Sequence, residues 1–79
     1  MQWLRESVGS IAERTGFHVE DLLPSSDERR ALLDIARVAA HTSGERTNAP
    51  LLCYVLGRAI ERGVPFADAI AAVKEATDE

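Results

Sequence analysis

Three side chains with chemically useful groups follow one another at helical spacing near the middle of the chain. Asp34, Arg37 and His41 are separated by three and four residues, so a helix places them as successive neighbours on one face. Arg46, in the loop just beyond, could join them. A carboxylate, a guanidinium and an imidazole in one row could recognise an anionic ligand or a protein partner. We name Asp34, Arg37, His41 and Arg46 the polar stripe.

The polar stripe also has a simpler interpretation as ordinary helix surface. Arg37 could pair with Asp34, and an exposed ion pair of this kind contributes less than about 1 kcal/mol. His41 would lie near a helix C-terminus, where the dipole favours its protonated form. Recognition is favoured by the narrowness of the strip on an otherwise apolar helix, and both interpretations are open at this stage.

The rest of the sequence contains no catalytic or metal-binding constellation. It has no glycine-rich phosphate loop, HExxH or EF-hand pattern, and neither His18 nor His41 has a Ser or Cys partner at an identifiable spacing. The single cysteine, Cys53, cannot form an internal disulfide, and no Cys/His spacing typical of zinc is present. We interpret Cys53 as a small buried hydrophobe. The sequence therefore favours a non-catalytic protein with no cofactor and no metal.

Composition limits the partners and the location that we expect. The net charge of −4, with scattered basic residues, argues against nucleic-acid binding, which requires clustered Lys and Arg. No stretch approaches the run of about 20 apolar residues that crosses a membrane. Charged residues interrupt the first 16 positions, so they lack the apolar core of a signal peptide. We expect no membrane partner and a cytoplasmic location.

Apolar periodicity predicts the elements that carry the polar stripe. Hydrophobic residues make up 46% of the 79 residues and aromatics only 5%, which is typical of an aliphatic helical core. We predict four helices, at about residues 2–15, 25–42, 48–62 and from 65 onward, with residues 77–79 fraying. A connector at residues 17–23 contains at most one helical turn. The predicted fold is all-α, one compact four-helix domain over residues 1–79, with the second and third helices as a central hairpin.

Local signals predict the helix ends and the buried residues. Ser25 and Glu28 fit a capping box, Asn48 suits an N-cap, and Gly63 suits a helix stop. Gly57 inside the third helix suggests close approach of another helix. We predict that Trp3 and Phe17 close the core, together with broad apolar arcs on the second and third helices: Ala31, Leu32, Leu33, Ile35, Ala36, Val38, Ala39 and Ala40, and Leu51, Leu52, Val55, Leu56, Ala59 and Ile60.

Residues 33–41, Leu-Asp-Ile-Ala-Arg-Val-Ala-Ala-His, followed by Arg46 and by Ala49-Pro50-Leu51, resemble a small actinobacterial-type helical domain of unknown function. Trp3-Leu4 also resembles the start of its first helix. That family occurs alone or fused behind a molybdenum-cofactor nucleotidyltransferase, so the resemblance implies an accessory or interaction role near cofactor biosynthesis. Asp34, Arg37, His41 and Pro50 match its pattern without a gap. Arg46 matches only across a longer loop.

Three functions are compatible with these observations. The first is an interaction module that binds a protein partner or its own copy through the second or third helix, because the second helix is too widely apolar for a small domain to cover. The second is a small-ligand or accessory enzyme site around Asp34, Arg37 and His41. The third is a purely structural domain that helps a neighbour to fold.

Overall fold

The computed structural model describes residues 2–77, and within that range every regular element is a helix. The five helices are α1 (Gln2–Thr15), α2 (Val19–Leu22), α3 (Ser26–Ser43), α4 (Asn48–Glu61) and α5 (Phe66–Thr77). The predicted all-α class is therefore correct. Beyond the four predicted helices, α2 is the single helical turn that the prediction allowed in the connector, in which the Leu23 N–H donates to the Val19 carbonyl at 3.0 Å. Of the tail predicted to fray, residues 78 and 79 lie outside the described range.

The start and the end of α3 are fixed by local sequence. The Glu28 N–H donates to the Ser25 hydroxyl at 3.1 Å, and the Ser25 N–H donates to the Glu28 carboxylate at 2.8 Å. This reciprocal pair confirms the predicted capping box. At the other end Gly44 has φ +74°, and its N–H donates to the Ala40 carbonyl at 3.0 Å. Glycine accepts this left-handed conformation without a Cβ penalty.

The start of α4 differs from the prediction. The N-cap is Thr47, in a helical conformation and without a side-chain hydrogen bond, while Asn48 already belongs to the helix. The Asn48 N–H donates to the Glu45 carbonyl and the Ala49 N–H to the Arg46 carbonyl, each at 3.1 Å. Asn48 as N-cap is therefore wrong, because a turn of backbone runs directly into α4, so that the helix starts one residue earlier and its first N–H groups donate to carbonyls of that turn.

The hydrophobic core lies among three helices. Helix α3 contacts both α4 and α5, and α4 contacts α5. The central cluster consists of Ile35, Leu56, Ala69, Ile70 and Val73, with Ile35 fully buried. Helix α1 contacts α2, and no α1 residue of the described chain belongs to the central cluster. The molecule is elongated, with extents of 38 × 26 × 19 Å.

Several residues predicted to be buried are exposed. Trp3 is 76% exposed, Leu33 65%, and Leu51 63%; Phe17 and Val55 are also exposed. Each predicted arc is wider than the surface that its neighbours cover: Leu33, for example, lies on the side of α3 opposite Ile35, about 200° away at helical spacing.

The prediction for Gly57 is also wrong. A Cβ added at that position would meet nothing within 4 Å outside the helix itself. No helix therefore approaches α4 at Gly57, and its backbone freedom serves no packing purpose there.

Within residues 2–77 no helix combines the length and the apolar content that a bilayer crossing requires. In the same range no three His, Cys, Asp or Glu side chains gather closely enough to hold a metal ion.

Candidate functional site

The polar stripe lies on the outer side of α3 and in the turn that follows it. Asp34 is half-buried, whereas Arg37, His41 and Arg46 are exposed. An Arg37 guanidinium nitrogen lies 3.1 Å from a carboxylate oxygen of Asp34, which gives the predicted ion pair. Both side chains of this pair remain about half exposed, so water screens the attraction.

Three members of the polar stripe line one shallow depression. Arg37, His41 and Arg46 surround Ala40 and Gly44 in a cavity of about 490 Å³. Asp34 does not line it and is connected only through its contact with Arg37. The backbone turn at Gly44 therefore brings Arg46 beside the helical residues despite its position in the loop.

The electrostatics of this depression favour the simpler interpretation. It lies at the C-terminus of α3, where the helix dipole is negative. Cationic side chains are stabilised at such an end, whereas the negative end of the dipole disfavours an anionic ligand. Arg37 and Arg46 thus compensate the helix end, and an anion gains less here than two guanidinium groups suggest.

Cys53 lies half-buried on α4 as a free thiol. Burial raises the pKa of the Cys53 thiol above its ordinary value, because desolvation disfavours the charged thiolate. A thiolate is the reactive form of cysteine. This environment therefore suits a structural cysteine better than a nucleophile.

An apolar groove runs between α4 and α5. Val55 and Ala59 of α4 face Ala72 and Ala76 of α5 across a floor that includes Leu56. This cavity has a volume of about 310 Å³, and all of its lining side chains are apolar. It shares Leu52 and Val55 with a second cavity of about 360 Å³ that also includes Leu51 and the end of α3. We name the surface formed by Leu51, Leu52, Val55, Ala59, Val64, Ala72 and Ala76 the α4–α5 groove.

Sequence reasoning missed this groove because it assigned Leu51 and Val55 to the core. A sequence feature could have indicated the groove: the apolar arc of the third predicted helix, α4, is broader than the surface that one neighbouring helix can cover. Only the packing of α5 determines which edge of that arc stays in solvent. The uncovered edge is the one that carries Leu51 and Val55.

The fold and these surfaces define a small all-helical domain whose described residues offer an exposed apolar groove and a solvated polar stripe. The family model described as a domain of unknown function (DUF6457) matches residues 1–79. The chain belongs to this family. No curated protein and no solved structure matches the chain. The family match carries no activity, partner or gene fusion.

Proposed function

We propose that this domain is a non-catalytic protein-interaction module whose docking surface is the α4–α5 groove. The observation that supports the proposal is the continuity of exposed apolar side chains along two adjacent helices. Exposed apolar residues scattered singly need no explanation, whereas a contiguous patch is typical of interaction sites. Full burial of one Leu or Val side chain yields about 1.5–3 kcal/mol, so Leu51 and Val55 together could contribute substantially to binding.

Affinity co-purification from the native host, with mass spectrometry, tests this function. The informative variant is Val55→Lys, which places a charge at the centre of the groove. Because Val55 is 58% exposed, the substitution leaves the core intact, and circular dichroism would verify the fold. The matched control is Leu33→Lys, which adds the same charge at an exposed apolar residue of α3.

We expect the wild type and Leu33→Lys to recover the same partner and Val55→Lys to lose it. A partner retained by Val55→Lys would contradict docking in the groove.

A second candidate function is a small-ligand or accessory enzyme site at the polar stripe, which is favoured by the shared depression of Arg37, His41 and Arg46. NMR titration with nucleotides and molybdopterin-like phosphates tests it. Saturable shifts at Asp34, Arg37 and His41 would support a ligand site. The ligand-site candidate would be contradicted if these residues show no shifts. It would also lose support if the Asp34→Ala, Arg37→Ala, His41→Ala variant recovers the same partner as the wild type in co-purification.

A place near molybdenum-cofactor biosynthesis in the cytoplasm is a further part of the proposal, and it rests on the sequence resemblance alone. Co-purification of a nucleotidyltransferase of that pathway with the wild type, but not with Val55→Lys, would support it. Recovery of a different partner would contradict a place near molybdenum-cofactor biosynthesis.

A further inference from the structure

We infer that the occupant of the α4–α5 groove is a second copy of this chain, so that α4 and α5 of two molecules form an antiparallel four-helix bundle. This inference rests on the proposed docking function of the groove and names its partner. Three observations support it: the size of the exposed surface, the direction of the two helices, and the charges along the two edges of the groove.

The chain exposes more surface than its mass requires. Its accessible surface is 6098 Å², whereas a monomeric protein of 8.6 kDa is expected to expose about 4,700 Å². The excess of about 1,400 Å² is greater than the roughly 800 Å² that each partner buries in a standard stable interface. This excess belongs to the whole elongated chain, α1 and α2 included, so it permits a dimer interface without locating it. The groove offers the contiguous apolar centre that such an interface needs.

Helices α4 and α5 are antiparallel. Asn48 and Leu51, at the start of α4, line the same cavity as Thr77 at the end of α5, while residues 62–65 join the opposite ends. A twofold axis along the groove sets α4 of one copy above α5 of the other. Every adjacent pair of helices is then antiparallel, which is the arrangement of an up-down four-helix bundle.

The two edges of the groove carry opposite charges. On the α4 side, Arg58 follows Val55 by three residues, and Arg62 follows it by seven as the C-cap residue just beyond the helix. Both line a separate depression beside Tyr54, where the Arg58 guanidinium lies over the Tyr54 ring. On the α5 edge, Asp68 and Glu75 flank Ala72 at spacings of four and three. The twofold axis brings each basic edge opposite the partner's acidic edge, with Asp68 at about the height of Arg58 and Arg62. Such complementarity favours a second copy and fixes its register.

Sedimentation equilibrium on the purified chain tests the inference. We expect a mass close to twice 8.6 kDa at about 100 μM, a concentration at which a micromolar dimer is about nine-tenths formed. Val55→Lys should raise the dissociation constant at least about 100-fold, and Leu33→Lys should change it by less than about threefold. Circular dichroism would again verify that both variants are folded.

Charge reversal tests the arrangement of the helices. Arg62→Asp alone and Asp68→Arg alone should each raise the dissociation constant about tenfold, because each places like charges opposite one another. The double variant restores opposite charges and should return to within about threefold of the wild type. A double variant weaker than either single variant would overturn the bundle.

A wild type that sediments at 8.6 kDa up to millimolar concentration would overturn self-association. Co-purification would then still test the interaction function, which would be supported if Val55→Lys lost a partner protein other than a second copy of this chain. A dimer that Val55→Lys leaves intact would place the interface elsewhere and overturn this inference. These outcomes separate the failure of the second copy from the failure of the groove as a docking surface.

Discussion

At the scale of single residues, solvent exposure and burial determine what Arg37, Cys53 and Val55 can do. Arg37 and Asp34 form an ion pair, but both are solvated, so the pair contributes little to stability. Cys53 is potentially nucleophilic, but its partial burial disfavours the thiolate. Val55, a residue without chemical function, is the more informative one, because its exposure on a core helix has a cost unless something covers it.

The raised pKa of Cys53 gives a pH-dependent prediction. The rate of alkylation by iodoacetamide follows the thiolate fraction, so its midpoint in the folded chain should lie above the midpoint in the urea-unfolded chain. Because the folded state holds the thiol proton more tightly, stability should also fall as pH rises above the unfolded pKa. The control for that stability change is Cys53→Ala, which should lack this part of the pH dependence. A folded midpoint equal to or below the unfolded one would contradict the assignment.

At the scale of the elements, a glycine with positive φ follows each of the three helices α1, α3 and α4. Helix α3 has a complete capping box at Ser25 and a left-handed Gly44, so its length follows from local sequence. The α4 helix starts from a backbone turn and ends before Gly63, which has φ +108°. Gly57, in contrast, occupies an ordinary helical position with open space beside it.

Gly57 lies within α4, and Gly63 follows its end. Substitution by alanine should change the free energy of unfolding in opposite directions at these two positions. Gly57→Ala should raise the free energy of unfolding by about 0.5–1 kcal/mol, because alanine loses less backbone entropy in a helix. Gly63→Ala should lower it by about 1–2 kcal/mol, because a Cβ strains the left-handed conformation. Urea denaturation measures both. Destabilisation by Gly57→Ala would show that something approaches α4 at that position after all.

At the scale of the whole molecule, the chain consists of a three-helix core with α1 and α2 beside it. The central cluster draws its residues from α3, α4 and α5, and the side-chain ion pair that joins α1 to α2, Arg5 with Glu20 at 3.1 Å, is exposed. Such unequal packing predicts unequal stability along the chain.

Hydrogen exchange should reveal this difference. Amides of α1 should exchange at least about tenfold faster than amides in the middle of α3, since α1 opens without disturbing the central cluster. Mass spectrometry of peptic peptides from residues 2–15 and 28–40 measures the two rates. Equal protection in both peptides would show that α1 and the core unfold as one unit.

The sequence by itself determined the helices, because their signals are local. The capping pair at Ser25 and Glu28 and the 3.6-residue apolar period each act within a few residues of themselves. The spacing of Asp34, Arg37 and His41 likewise required only a helix. The cap at Asn48 is not formed because the preceding backbone turn, which no single residue type signals, starts the helix one residue earlier.

Only the tertiary structure decided which apolar residues are covered. Leu33 and Val55 have the same hydrophobicity as their buried neighbours, and their exposure depends on where other helices pack. The position of Arg46 beside His41 similarly depends on the turn at Gly44. A helix specifies the width of its apolar arc, but its neighbours specify how much of that arc they bury, and the α4–α5 groove is the part that they leave exposed.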